Sequence, residues 1–349
     1  MVNVRKLLEN SNITAACPGL AARLRFDEPM RLHTTFKIGG PADCFAEPES
    51  PGELIALLDL TRDSGLPVSV IGGGSNLLVA DRGIRGLVIS LARLCGIERV
   101  DSAGGNVAGV GNVAVESLHA LDDRSVFVRS GAGATMDALV SWCADRGIAG
   151  LERFAGLPGT VGGAAYMNAR CYERSVSDVF FRAEVLCFRD GRYTIEEKAL
   201  NRADWDYKKS PFQTRNGVDQ ARIDETAVIL LSVSFRLARG DVESIQSQMA
   251  AYVKDRECKG HFRFPSAGSM FKNDHAFGKP SGKIIDDSGL CGFRVGDAQV
   301  APWHGNFVIN AGNATAAEVK ALVDEVRARV RALTGFELEP EVIMSGDWE

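Results

Sequence analysis

Nowhere in its 349 residues does the chain hold eighteen consecutive apolar residues, a C-x-x-C pair or a G-x-x-x-x-G-K-[ST] loop. Lacking the first, it is expected to have no membrane-spanning helix. Lacking the second, its eight scattered cysteines (17, 44, 95, 143, 171, 187, 258 and 291) read as reduced thiols, not a disulfide framework. Cys258-x-x-His261 is half of a zinc site with no second half, so no metal is expected. Lacking the third, it has no Walker-type phosphate loop. An excess of basic charge is missing too: the net charge is −5. That balance argues against nucleic acid or an anionic membrane as the main partner. Arg5 and Lys6 are followed by Leu-Leu-Glu-Asn-Ser-Asn, too polar for a secretory signal, so a cytoplasmic location is expected.

The sequence is 45% hydrophobic and 24% charged, ordinary globular usage, and long enough for two or three domains with real cores. The first 30 or so residues show no periodicity and are expected to form an N-terminal arm (1–33). Residues 53–64 predict a helix stopped by Gly65. Residues 67–71, 77–80, 87–91 and 126–128 predict strands. Thr135 caps a helix ending near Gly147, and 182–200 form a meander around Asp190-Gly191. Ile229, Leu231, Val233, Phe235 and Leu237 alternate as in a half-buried strand. Asp241 caps a helix with Val242, Ile245, Met249, Tyr252 and Val253 on its apolar face. Thr315-Ala-Ala-Glu318 is a capping box, and Val319, Leu322, Val323, Val326, Val330 and Leu333 follow at helical spacing up to Gly335. This is an α+β pattern with a boundary near residue 238.

Glycine is abundant, 37 residues against an ordinary share of about 7%, and two clusters stand out. Gly72-Gly73-Gly74-Ser75-Asn76 follows a strand, so its backbone N–H groups could form an anion-binding nest. A dinucleotide fingerprint would need a helix next; strand-like sequence from Leu77 follows instead. The second cluster, Gly156-Leu-Pro-Gly159-Thr160-Val-Gly162-Gly163, carries four glycines in eight residues. Two such loops suit a long cofactor with a pyrophosphate in its middle.

From Thr34 to Gly346 the chain resembles the UDP-N-acetylenolpyruvoylglucosamine reductases, flavoenzymes of peptidoglycan precursor synthesis. Eight ordered motifs carry the likeness: Thr35-Phe-Lys-Ile-Gly-Gly40, Gly72–Leu78, Gly156–Ala164 with Asn168, Tyr207-x-x-Ser210-x-Phe212, Phe264-Pro-Ser-Ala-Gly-Ser269-x-Phe271-Lys272-Asn273, Gly282-Lys-x-Ile285, Asn310-x-Gly-Asn-Ala-Thr315 and Leu338-Glu-Pro-Glu341-Val. The short connection from Tyr207 to Ser269 is similar to the variant that lacks an extra tyrosine-bearing loop. The resemblance implies a two-subdomain FAD-binding domain (34–237) of the vanillyl-alcohol-oxidase type and a C-terminal α+β substrate domain (238–349). It implies non-covalent FAD held by the two glycine loops (Gly72 to Leu77 and Gly156 to Gly163), NADPH as co-substrate, and a UDP-sugar substrate. A monomer is expected.

It further implies Ser269 as proton donor, Glu341 as catalytic carboxylate, and Tyr207, Lys272 and Asn273 as substrate contacts. Hydride addition to an enolpyruvyl methylene leaves charge on the carbon beside the carboxylate, which a nearby cation would stabilise. Lys208 stands where the family has an arginine, keeping the charge and losing the two-pronged donor. The 168–175 stretch and Gly296-Asp297 also depart from the glycine-richer family pattern. Taken alone, Ser269 is a small turn residue and Glu341 a solvated strand-end charge; the ordered motifs favour the catalytic roles. His33 and His304 read as hydrogen-bonded structural histidines. Two rivals stay open: a flavin oxidase of alcohols or 2-hydroxy acids, and a non-catalytic nucleotide-sugar binder. Residues 65–118 contain no histidine for a covalent flavin link, which counts against the oxidase. Retention of Ser269 and Glu341 counts against the binder.

Overall fold

The computed structural model describes residues 4–10, 17–100, 125–213 and 227–349. They fall into two compact units, one built from residues within 1–91 and 255–349, the other from residues within 92–213 and 225–254. The units follow contacts, so the chain's beginning and end share one of them.

In the first unit a four-stranded sheet runs in the order β1 (Arg25–Pro29), β2 (Pro41–Ala46), β5 (Ile84–Ser90), β3 (Val68–Ile71). The β1–β2 pair is antiparallel and the other two are parallel. Helix α1 (Pro51–Ser64) makes the crossover from β2 to β3; the Ser50 hydroxyl accepts from the Glu53 N–H, and Gly65 closes it at φ 66°. Its Leu54, Leu57, Leu58 and Thr61 are buried at helical spacing. The expected N-terminal arm is thus partly sheet. Arg-Phe-Asp-Glu-Pro has a single apolar side chain, so this edge strand shows no alternation to read.

A parallel pair joins β4 (Leu77–Val79) to β18 (Ile343–Ser345). A second sheet orders β14 (Ser266–Ser269), β17 (Phe307–Asn310), β16 (Ala298–Val300) and β15 (Arg294–Val295). Against it lies helix α6 (Ala316–Thr334), its capping box formed by Thr315 and Glu318. Val319, Leu322, Val323, Val326 and Val330 enter a core with Phe36, Met270, Phe271 and Ile285. Leu333, expected on that face, is exposed one turn beyond it.

The second unit is an antiparallel sheet in the order β12 (Arg192–Ala199), β11 (Phe180–Arg189), β13 (Val228–Arg239), β7 (Ser125–Gly131), β6 (Ile97–Val100). The Asp190-Gly191 turn joins β11 to β12 as expected. Helix α2 (Met136–Ala144) is capped by the Thr135 hydroxyl, and α3 (Val161–Tyr166) by Thr160. Gly162 and Gly163 are therefore helical, where the sequence suggested loop. A short β8 (Ile148–Ala149) pairs with β13. Beyond α3, a two-residue hairpin joins β9 (Arg170–Cys171) to β10 (Arg174–Ser175). Helix α4 (Val242–Cys258) is capped by the Asp241 carboxylate on the Ser244 N–H. Val242, expected on its apolar face, is exposed in the first turn.

Candidate active site

Ser269 owes its place to a one-residue bulge. Ser266 pairs with Ile309 and Ser269 with Phe307, so three steps on β14 meet two on β17. Gly268 absorbs the extra residue at φ 76°. Beyond it, the segment is held from both sides. On one side, the Met270 N–H donates to the Asn306 carbonyl at 2.8 Å. On the other, the Glu341 N–H donates to the Met270 carbonyl at 2.8 Å, and the Lys272 N–H to the Glu339 carbonyl at 2.9 Å. Two of the residues singled out by sequence, Ser269 and Glu341, are therefore linked through Met270, bonded covalently to one and by a backbone hydrogen bond to the other.

The first glycine turn joins this arrangement. It connects β3 to β4, the strand–turn–strand context read from the sequence. The Asn76 side-chain amide donates to the Glu341 carbonyl at 3.1 Å, and the Ile343 N–H donates to the Asn76 carbonyl. Gly74 sits at φ 62°, where a Cβ would come within 2.0 Å of the His33 carbonyl oxygen, so packing alone demands glycine there. Gly73 is exposed and Gly72 half-buried, offering bare backbone to a ligand. Leu77 goes to the core, leaving only its main chain for binding.

Ser269 and Asn273 line a cleft of about 360 Å³ together with Lys283, Trp303, His304 and Asn306. Asn273 also accepts from the Ser281 N–H at the start of α5 (Ser281–Asp287). The Lys272 ammonium is 2.6 Å from Glu339 on the surface. His304 Nδ1 accepts from the Asn306 N–H at 3.2 Å, which puts the neutral ring's proton on Nε2. Burial lowers the His304 pKa, and burial together with Arg256 brings His261 down to about 4. Both rings are neutral at pH 7. Cys291 lines the same cleft, and burial with the Asp286 carboxylate pushes its thiol up to about 11, which disfavours the thiolate. His33 bonds Glu28 at 2.7 Å and stacks on Phe45, a structural histidine.

The second unit carries the remaining candidates. Gly156 and Gly159 adopt φ 70° and 103° before the Thr160 cap. Gly162 is glycine because a Cβ would lie 2.8 Å from that of Ala132. Gly156, Gly159 and Gly163 are half-buried and free of side chains, as close approach by a dinucleotide requires. Asn168 is fixed at both ends, accepting from the Ser177 N–H and donating to the Asp206 carbonyl. Asp206 and Lys209 exchange backbone hydrogen bonds, making a tight turn with Tyr207 and Lys208 at its tip. Lys208 takes φ 55°, a left-handed conformation that costs a side-chain-bearing residue energy. It is half-buried, whereas Lys209 is exposed.

Of the departures noted in the sequence, Asp297 has a structural account: it accepts from the Asn313 N–H and pairs with Arg294. The cleft residues Lys283, Trp303 and Asn306 were not singled out by sequence. Asn306 stands alone before an apolar run, a position that reads as an ordinary turn residue.

Residues 42–195 match the FAD binding domain model, and 260–345 match the UDP-N-acetylenolpyruvoylglucosamine reductase C-terminal domain. With two glycine-rich turns baring main chain and a polar cleft in the C-terminal part, the chain is an FAD-dependent oxidoreductase. Among curated proteins it is 43% identical to the UDP-N-acetylenolpyruvoylglucosamine reductase of Treponema denticola over 93% of this chain and 94% of that one. It is 41% identical to that of Treponema pallidum over the same shares. A crystal structure of the Thermus caldophilus enzyme superposes with a TM-score of 0.66 at 30% identity, covering 90% of this chain and 97% of that one. The chain belongs to the UDP-N-acetylenolpyruvoylglucosamine reductase family.

Proposed function

We propose that the chain reduces the enolpyruvyl double bond of UDP-N-acetylglucosamine enolpyruvate with NADPH, giving UDP-N-acetylmuramate for peptidoglycan synthesis in the cytoplasm. The observation that carries this is the hydrogen bond of the Glu341 N–H to Met270, the residue after Ser269, beside a cleft lined by Ser269, Asn273, Lys283 and His304. Residues 34–237 serve the flavin and 238–349 the sugar nucleotide.

FAD held by the Gly72–Leu77 and Gly156–Gly163 turns would supply hydride chemistry between NADPH and the terminal methylene carbon. The π pair then moves onto the carbon beside the carboxylate. Lys208 holds its ammonium against that growing charge. Ser269 gives its Oγ proton to the carbon, and the serine oxygen recovers a proton from solvent. Hydride and proton together saturate the double bond, and NADP⁺ balances the electrons. A serine hydroxyl is a weak acid, yet a carbanion is a stronger base than an alkoxide, so the transfer runs downhill. Glu341, whose N–H donates to the Met270 carbonyl, is the second acid–base group. Asn273, Lys272 and Tyr207 bind the UDP-sugar.

Purified protein should be yellow, release its flavin on acid precipitation, and oxidise NADPH only when the enolpyruvyl sugar nucleotide is added. Flavin retained in the pellet, or NADPH oxidation indifferent to that substrate, overturns the proposal.

A further inference from the structure

Asn306 is 4% exposed, and its side chain does what a neighbouring strand would do. Its Oδ1 accepts from the Phe271 N–H and its Nδ2 donates to the Phe271 carbonyl, both at 2.8 Å. Its own carbonyl takes the Met270 N–H, and its own N–H goes to His304 Nδ1. One residue thus clamps the two positions after Ser269 and sets the tautomer of a histidine in the same cleft. Regular pairing ends at Ser269 and Phe307, so among the described residues Asn306 takes the place of a strand partner for Phe271 on that side. We infer that Asn306 is the positioning residue for proton delivery, holding the Ser269 hydroxyl and the His304 Nε2–H in one geometry across the cleft.

This inference rests on the proposed reaction. Without the Asn306 amide, both polar groups of Phe271 lose their buried partners and the backbone after Ser269 shifts to recover them. A misplacement of about 1 Å costs a reacting pair on the order of 100-fold. Proton transfer should suffer while hydride supply does not.

The test compares wild type with Asn306→Ala and Asn306→Asp, the latter nearly the same size and without the donor. Rapid-mixing measurements would follow reduction by NADPH and reoxidation by the enolpyruvyl sugar nucleotide, in water and in deuterium oxide, per mole of bound flavin. Reduction should stay within about 2-fold, and reoxidation should slow about 10- to 100-fold. The solvent isotope effect on reoxidation should rise as protonation becomes limiting, and kcat should fall more than KM. If Asn306→Ala does not fold, Asn306→Asp carries the comparison. Variants that merely melt earlier, with an unchanged isotope effect and unchanged rates per flavin, overturn the inference. Wild-type protein that is not reoxidised by this substrate sinks the functional proposal, and the inference with it; wild type that turns over beside equally active variants sinks the inference alone.

Discussion

The side-chain amide of Asn76 donates to the backbone carbonyl of Glu341, 265 positions away, at 3.1 Å. The first glycine turn and the Glu341 segment are therefore placed as one piece, and Glu341 in turn holds Met270 beside Ser269.

Asn76→Ala should remove this bond at a cost of about 1 kcal/mol and loosen both the turn and the Glu341 segment. Flavin affinity, followed by fluorescence titration, should drop together with the melting temperature. Unchanged affinity and unchanged melting would show that the turn keeps its shape without the link.

The hairpin tip at Tyr172 and Glu173 predicts a gain in stability. Both residues have positive φ, 46° and 66°, where two-residue hairpins favour Asn-Gly. Tyr172 is anchored by a tilted ring contact with Tyr252, centroids 4.6 Å apart, and by its hydroxyl donating to the Tyr252 carbonyl. Glu173→Gly should relieve left-handed strain and raise stability by up to about 1 kcal/mol, read by chemical denaturation. A loss would mean that the Glu173 side chain contributes more than its backbone costs.

Acid should expose His261. Burial, with Arg256 and His304, lowers its pKa to about 4 from 6.5. Between these values the unfolded chain binds a proton that the native state does not, so stability is full above pH 6.5 and falls as pH drops toward 4. His261→Gln lacks this dependence. The stability gap between wild type and His261→Gln should shrink from pH 7 to pH 4; a constant gap would contradict the assigned shift.

Much of this was legible in the sequence because the signals are local. Thr315 and Glu318 announce the start of α6, Gly65 the end of α1, and Gly72 to Leu77 a turn between strands. The β1 edge strand was not legible, having one apolar residue to show. Nor was Asn306: its work depends on a strand bulge at Gly268 and a gap beside Phe271, neither of which has a spacing rule. The glycine clusters were half legible. Gly74 and Gly162 are required by internal contacts, and sequence cannot separate such glycines from those that make room for a ligand.

Lys208 is the cation proposed to face the substrate carboxylate. Lys208→Ala should slow reoxidation by the substrate by about 10²–10³, the usual loss for one electrostatic donor. Lys208→Arg should keep substantial activity. Lys208→Gly separates strain from charge: it should match the alanine variant in rate while melting higher. The exposed Lys209 is the control, and collapse of activity in Lys209→Ala alone would place the cation one residue on.

The most direct test separates the two half-reactions in Ser269→Ala. Stopped-flow reduction of the flavin by NADPH should stay near the wild-type rate. Reoxidation by UDP-N-acetylglucosamine enolpyruvate should slow by about 10²–10⁴, the range of a general acid. Equal slowing of both steps, or of neither, would contradict Ser269 as the proton donor.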